Sequence, residues 1–163
     1  MAGLPEVREG EAVGRLLAEA VAAGGDRLGD GDVVAISQKI VSKAENRLVA
    51  VDADDPFSHK ALVEEESVRV LRRRGDLVIS ETEHGFVCAN AGVDRSNLDD
   101  GTAALLPRDS DRSARRIRDR LRDATGAEVG VIVSDTFGRP WRKGLVDVAI
   151  GCAGIRAEGR FGV

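Results

Sequence analysis

The sequence predicts an α/β domain, a mixed α+β sheet with helices packed on it, and two observations carry that expectation. Short β-branched runs alternate with stretches whose apolar residues recur at helical spacing. Two of the apolar runs also end in acidic, hydroxyl-rich and glycine-rich turns, one in the segment 84–97 and one in 129–142. A strand that stops at a carboxylate beside a turn that glycine permits sets hard oxygen ligands at a sheet edge, within reach of metal and phosphate. With 163 residues, 42% of them hydrophobic, the chain fits one domain, 1–163, with enough apolar material for a core.

In chain order, Val13, Leu16, Leu17, Ala20 and Val21 mark a helix over Glu11–Ala23, stopped by Gly24-Gly25. Asp32–Ile36 is a β-branched strand after the turn Gly29-Asp30-Gly31, and Ser37–Lys43 reads as a polar, cationic loop. A short strand over Arg47–Val51 and a loop over Asp52–Pro56 lead into a helix of roughly Ser58–Arg74, with a stripe of Leu62, Val63, Val70 and Leu71. Strands over Leu77–Ser80 and Phe86–Ala89 flank a turn at Glu81–Gly85. Ser110–Asp123 is a helix with Ala114, Ile117 and Leu121 on one face, Val129–Val133 is a strand, and Val146–Ala153 is a last apolar stretch. No repeat or low-complexity linker interrupts this order.

Composition excludes several classes of function. A net charge of −4 with 32% charged residues gives a dense but nearly balanced surface without global attraction for nucleic acid or anionic lipid. Aromatics at 3% argue against base-stacking platforms. The arginines at 112, 115, 116, 118, 120 and 122 are interleaved with Asp111, Asp119 and Asp123, a pattern that reads as a salt-laced solvent face, not a nucleic-acid groove. No run approaches the roughly 20 apolar residues of a membrane span, and the N-terminus lacks the basic flank and apolar stretch of a secretory signal. Cys88 and Cys152 form neither a CxxC pair nor a disulfide framework, so a reduced, cytoplasmic setting is expected. P-loop, dinucleotide fingerprint and nucleophile elbow are all absent, and His59 and His84 lack zinc-site spacing.

Three groups of residues could carry chemistry. Asp94 and Asp135 each close an apolar segment with a second oxygen donor close by, Ser96 or Asn97 for one and Thr136 for the other, a donor set suited to Mg²⁺ or Mn²⁺. Aspartates at such places also cap turns and helices, and spacing leaves both readings open. Lys39 and Lys43, one helical turn apart beside Ser37, Gln38 and Ser42, could meet phosphate oxygens or form an ordinary solvated lysine face. Arg139 and Arg142 bracket Trp141, an arrangement that can clamp a carboxylate or phosphate, or simply pack the tryptophan while the arginines are solvated.

Four segments in order closely resemble the coenzyme F420-0:L-glutamate ligase (F420 gamma-glutamyl ligase) family: Leu4–Val7, Gln38–Glu45, Gly92–Asn97 and Asp135–Arg142. Taken together they favour the metal reading of the aspartates. The resemblance implies a ligase that uses GTP, a pair of divalent ions (Mg²⁺ or Mn²⁺) and K⁺. It would join L-glutamate to the lactyl carboxylate of coenzyme F420-0 through an acyl phosphate, then add a second glutamate through a gamma linkage. It implies metal ligation by Asp94, Asp135 and Thr136, and GTP contacts from Leu4, Pro5, Glu6, Val7, Gln38, Lys39, Lys43 and Asn97. Arg139 and Arg142 are the expected catalytic contacts to substrate or phosphate. It also implies a homodimer, and a chain that holds the N-terminal part of the family's domain, since relatives run on past Val163 with a further nucleotide- and metal-binding segment. A non-catalytic GTP- and metal-binding module, or a metal-dependent phosphohydrolase working through the same aspartates, are the competing readings.

Overall fold

The computed structural model describes residues 4–96, 98–138 and 146–156. A three-stranded sheet of order β1-β7-β8 organises it, formed by β1 (Val33–Ser37), β7 (Gly130–Asp135) and β8 (Val148–Ala153). β1 and β7 run parallel, with Val33 opposite Gly130 and Ser37 opposite Ser134, while β8 returns antiparallel with Val148 opposite Asp135. The carboxyl ends of β1 and β7 and the start of β8 therefore share one end of the sheet.

Helices α1 (Val13–Ala23) and α4 (Ser110–Thr125) belong to the same core as this sheet. The strand interiors Val34, Ile36, Val131 and Val133 are buried with Leu17, Ile117 and Leu121 from the helices. α4 has an N-cap at Asp109, whose carboxylate accepts the Arg112 N–H at 2.8 Å, and ends at Gly126 with φ 75. Gly151 of β8 admits the start of α4 at contact distance: a Cβ there would meet the Ser110 backbone at 2.3 Å.

Between β1 and β7 the chain builds two smaller sheets. β2 (Leu48–Ala50) pairs antiparallel with β6 (Thr102–Ala104), and β3 (Ser67–Arg74), β4 (Leu77–Thr82) and β5 (Val87–Ala89) form an antiparallel meander. A single 3₁₀ turn, Asn90–Gly92, follows β5, and a small second core gathers Val63, Val78 and Ala91.

Two expectations need correcting. Gln38–Ala44 is a helix, α2, that follows β1 without a loop, so the cationic segment is helical from Gln38 onward. The helix expected over Ser58–Arg74 is only α3 (Lys60–Glu65), and Ser67–Arg74 is strand β3. The stripe was misleading because Val70 packs on the small core while Leu71 is exposed, as in a strand at a sheet edge. Gly75-Asp76, with Gly75 at φ 57, makes a two-residue hairpin turn that pairs Arg74 with Leu77, and cross-strand pairing overrides the helix propensity of the arginines. The remaining expected elements are present with ends shifted by a few residues, and β7 runs on to include Asp135.

Gly151→Val should cost about 3 kcal/mol or more, a Tm fall of about 6–12 °C, because the contact it meets is backbone and cannot turn aside. Gly24→Ala, at φ −74 with its nearest non-neighbouring atom 3.4 Å from the new Cβ, should stay within about 0.5 kcal/mol in the same melts.

Candidate functional site

Where β1, β7 and β8 meet, a cleft of about 560 Å³ opens between Lys39, Asp94, Asp135, Thr136 and Asp147. Lys39 comes from the first turn of α2, directly after β1. Asp135 is the last residue of β7, and Asp147 immediately precedes β8. Asp94 arrives from the inserted sheets. Its backbone exchanges two hydrogen bonds with Ala104 of β6, 3.0 and 2.7 Å, which fixes its approach. The turn before it is forced: Asn90, Ala91 and Gly92 all have positive φ (51, 51 and 72), and Leu106 leaves no space for a Cβ on Gly92.

Lys39 Nζ is 2.9 Å from Asp94 Oδ2 and donates to the Ser96 carbonyl and, at 3.1 Å, to the Ser96 hydroxyl. The other Asp94 oxygen accepts the Ser96 N–H at 2.7 Å. Burial pushes the Asp94 carboxyl up, but the bonds from Lys39 and Ser96 and the lysine charge outweigh it and hold the group below the usual carboxylate range. Asp135 has no such partner. Burial first, then coulombic repulsion from Asp94 and Asp147, push it up to about 6 against the Thr136 N–H and the Lys39 charge. Thr136 Oγ1 donates to Asp147 Oδ1. One lysine thus faces three carboxylates, and the deficit falls on Asp135.

The sequence-derived residues divide into groups. Lys39, Asp94, Asp135 and Thr136 share the cleft just described, and Gln38 lines it. Gln38 is 1% exposed, and its amide donates to Ser42 Oγ (2.6 Å) and to the Leu105 carbonyl (2.9 Å). Glu6, Val7 and Lys43 instead border a second cleft of about 410 Å³, where Lys43 Nζ bonds Glu6 at 2.6 Å and holds that carboxyl below its ordinary range. Leu4 packs against the main core and Pro5 is exposed. Asn97, Arg139 and Arg142, with Trp141, lie outside the described residues. Asp147 escaped the sequence reading, since a lone aspartate before an apolar stretch carries no signal until β8 is placed beside β7.

The donors in this cleft are carboxylate and hydroxyl oxygens, the chemistry of hard divalent cations. Among the described residues no group of three His, Cys, Asp or Glu is already gathered at metal-holding distance. His84 Nε2 lies 2.8 Å from the Pro107 carbonyl, and its ring stacks on Phe86. Among the described residues no helix is long and apolar enough to cross a membrane.

Fold and cleft together define a mixed α/β protein with an acidic, lysine-bearing site at the carboxyl ends of a parallel strand pair. The chain belongs to the F420-0:Gamma-glutamyl ligase family, whose model matches residues 3–162. It is 44% identical over 94% of its length to the coenzyme F420:L-glutamate ligase of Methanothermobacter thermautotrophicus. It is 43% identical over 92% to the one of Methanopyrus kandleri, and 37% over 95% to the one of Archaeoglobus fulgidus. The chain spans 66%, 63% and 66% of the length of these three relatives.

Asp135 gives the site a pH signature. Its folded value of about 6 exceeds the ordinary 3.8, so ionisation is penalised in the fold: the penalty is absent below pH 3.8 and complete above about 6. Asp135→Asn should therefore stabilise the metal-free protein at pH 7.5, by about 1–2 kcal/mol after allowance for solvent screening. The gain should shrink as pH falls from 6 to 4; melts showing an equal gain at both ends would show that the carboxylate is not strained.

Proposed function

We propose that this chain is a GTP-dependent ligase of coenzyme F420 biosynthesis, joining L-glutamate to the lactyl carboxylate of coenzyme F420-0 and then a second glutamate through a gamma linkage. The observation that carries the reading is the convergence of Lys39, Asp94 and Asp135 in one cleft, in a chain whose relatives are named coenzyme F420:L-glutamate ligase. In the first half-reaction a carboxylate oxygen of the acceptor takes the γ-phosphoryl group of GTP, the bond to the β-phosphate breaks, and GDP leaves. In the second the glutamate amine attacks the resulting acyl phosphate, the C–N bond forms, and inorganic phosphate departs as the amine gives up a proton.

Asp94, Asp135 and Asp147, with the Thr136 hydroxyl, are the groups that would hold Mg²⁺ or Mn²⁺, and the strained Asp135 carboxyl supports that fit. Such ions neutralise phosphate charge as it shifts toward the leaving group. Lys39, only 17% exposed at its side chain and held by Asp94 and Ser96, offers a fixed cation to the phosphates. Lys43, one turn along the same helix, carries a second cation beside Glu6 and Val7, so GTP lying along α2 would reach both clefts. K⁺, a homodimer, a cytoplasmic location and substrate contacts from Arg139 and Arg142 belong to the same proposal.

The test is incubation with GTP, Mn²⁺ or Mg²⁺, K⁺, L-glutamate and coenzyme F420-0, read by mass spectrometry. A product heavier by one glutamate residue should form together with GDP, and Lys39→Ala or Asp94→Asn should slow it by about 100-fold or more. Phosphate release that needs neither glutamate nor the acceptor would point to a phosphohydrolase instead. Without nucleotide, Mn²⁺ should raise the Tm of the unaltered protein and raise that of Asp135→Asn less.

A further inference from the structure

The arginine-rich helix α4 is not the salt-laced face its sequence suggests. Of its aspartates, Asp111 accepts the Cys152 N–H, and only Asp119 pairs with an arginine of the helix, Arg122 at 3.4 Å. Arg118 turns to Glu128 and the Val129 carbonyl. Arg112, Arg116 and Arg120, four residues apart on one side of the helix, have no ion pair or side-chain hydrogen bond among the described residues, and neither has Arg108 just before it.

These four arginines line one cleft of about 610 Å³ between α1 and α4. The size is that of a small-molecule site. Its carboxylates are already engaged: Glu11 accepts the Arg8 N–H, Glu45 the Ser113 hydroxyl and Asp109 the Arg112 N–H. A second donor set faces the arginines. The N-cap of α1 is Ala12, whose side chain makes no cap, and Gly14 on the first turn lines the cleft. Gly14 brings the two helices this close, since a Cβ there would meet the Ile117 carbonyl at 2.5 Å.

We propose that this cleft is a second binding site, for an oligophosphate held by Arg112, Arg116 and Arg120 with Arg108 and the start of α1. Guanidinium forks bind phosphate oxygens in pairs, and a helix start adds backbone N–H groups and partial positive charge. From Arg112 to Arg120 the helix rises about 12 Å, so the row suits several linked anionic groups better than a single phosphate. The cleft is distinct from that of Lys39, Asp94 and Asp135, with which it shares no lining residue.

The test is calorimetric titration of the full chain with inorganic tripolyphosphate, without divalent cations and at low salt, in the unaltered protein and in Lys39→Ala. Both should bind. Arg112→Gln/Arg116→Gln should weaken binding at least tenfold, with each single substitution falling between. Arg72→Gln/Arg115→Gln removes the same charge from exposed positions outside the cleft and should stay within about twofold. Melting of each variant without ligand confirms its fold. Absence of binding to the unaltered protein, loss in Lys39→Ala, or equal losses in the two double variants would overturn the site. Displacement of tripolyphosphate by an equal concentration of a poly-glutamate peptide would overturn the phosphate assignment.

Discussion

The parallel pairing of β1 with β7 is the constraint on which the rest depends. It joins residues almost a hundred positions apart, Ser37 against Ser134, and so brings the start of α2 and the carboxylate of Asp135 to one end of the sheet. A pairing of that range repays a large loop-closure cost because both strands bury apolar side chains in the core, Ile36, Val131 and Val133 at 2% exposure or less. The two smaller sheets between the strands are in effect an insertion, and the Asp94 bridge to Ala104 returns that insertion to the site. Asp94 and Asp135 thus meet through two independent backbone restraints, one in each sheet system.

Electrostatics then separates the two aspartates. Both are partly desolvated, but Asp94 has Lys39 and the Ser96 N–H, whereas Asp135 has two like charges for neighbours. A core built for stability alone would place an amide or an apolar residue at such a position. A carboxylate at such a position costs free energy, and groups perturbed by burial and like charges concentrate at functional sites. The lysine serves the two unequally: its three donor positions are taken up by Asp94 and Ser96, and only its charge acts on Asp135.

How much of this was legible in sequence depended on the range of the interaction involved. β1, β7 and α4 are set by local pattern, and their β-branched runs, the amphipathic spacing and the glycine after the helix were readable. β3 was not, because its Val and Leu fit a helical stripe and only pairing with β4 decides otherwise. The metal and cap readings of Asp94 and Asp135 cannot be separated by spacing; the ordered set of four family-like segments favours the first, and only the fold brings the two residues into one cleft. Asp147 and the unpaired arginine row remained invisible for the same reason, since both depend on which neighbours the fold supplies. Alternating charges on α4 suggested internal pairs that the structure spends elsewhere.

Helix α2 ties these features together. It has seven residues and no side-chain N-cap, too short to be stable by itself. Its position comes from two tertiary bonds to the Leu105 carbonyl, which accepts from Gln38 and, at 2.6 Å, from the Ser42 hydroxyl, while Gln38 also donates to Ser42 within the helix, all of them buried. From that anchored core the helix sends Lys39 into the acidic cleft and Lys43 toward Glu6, while Val41 and Ala44 line the arginine cleft. A satisfied buried network holds one arrangement and penalises others, because any slip strands a donor away from water. The spacing of the two lysines is therefore fixed less by helix propensity than by three polar groups that neither lysine touches.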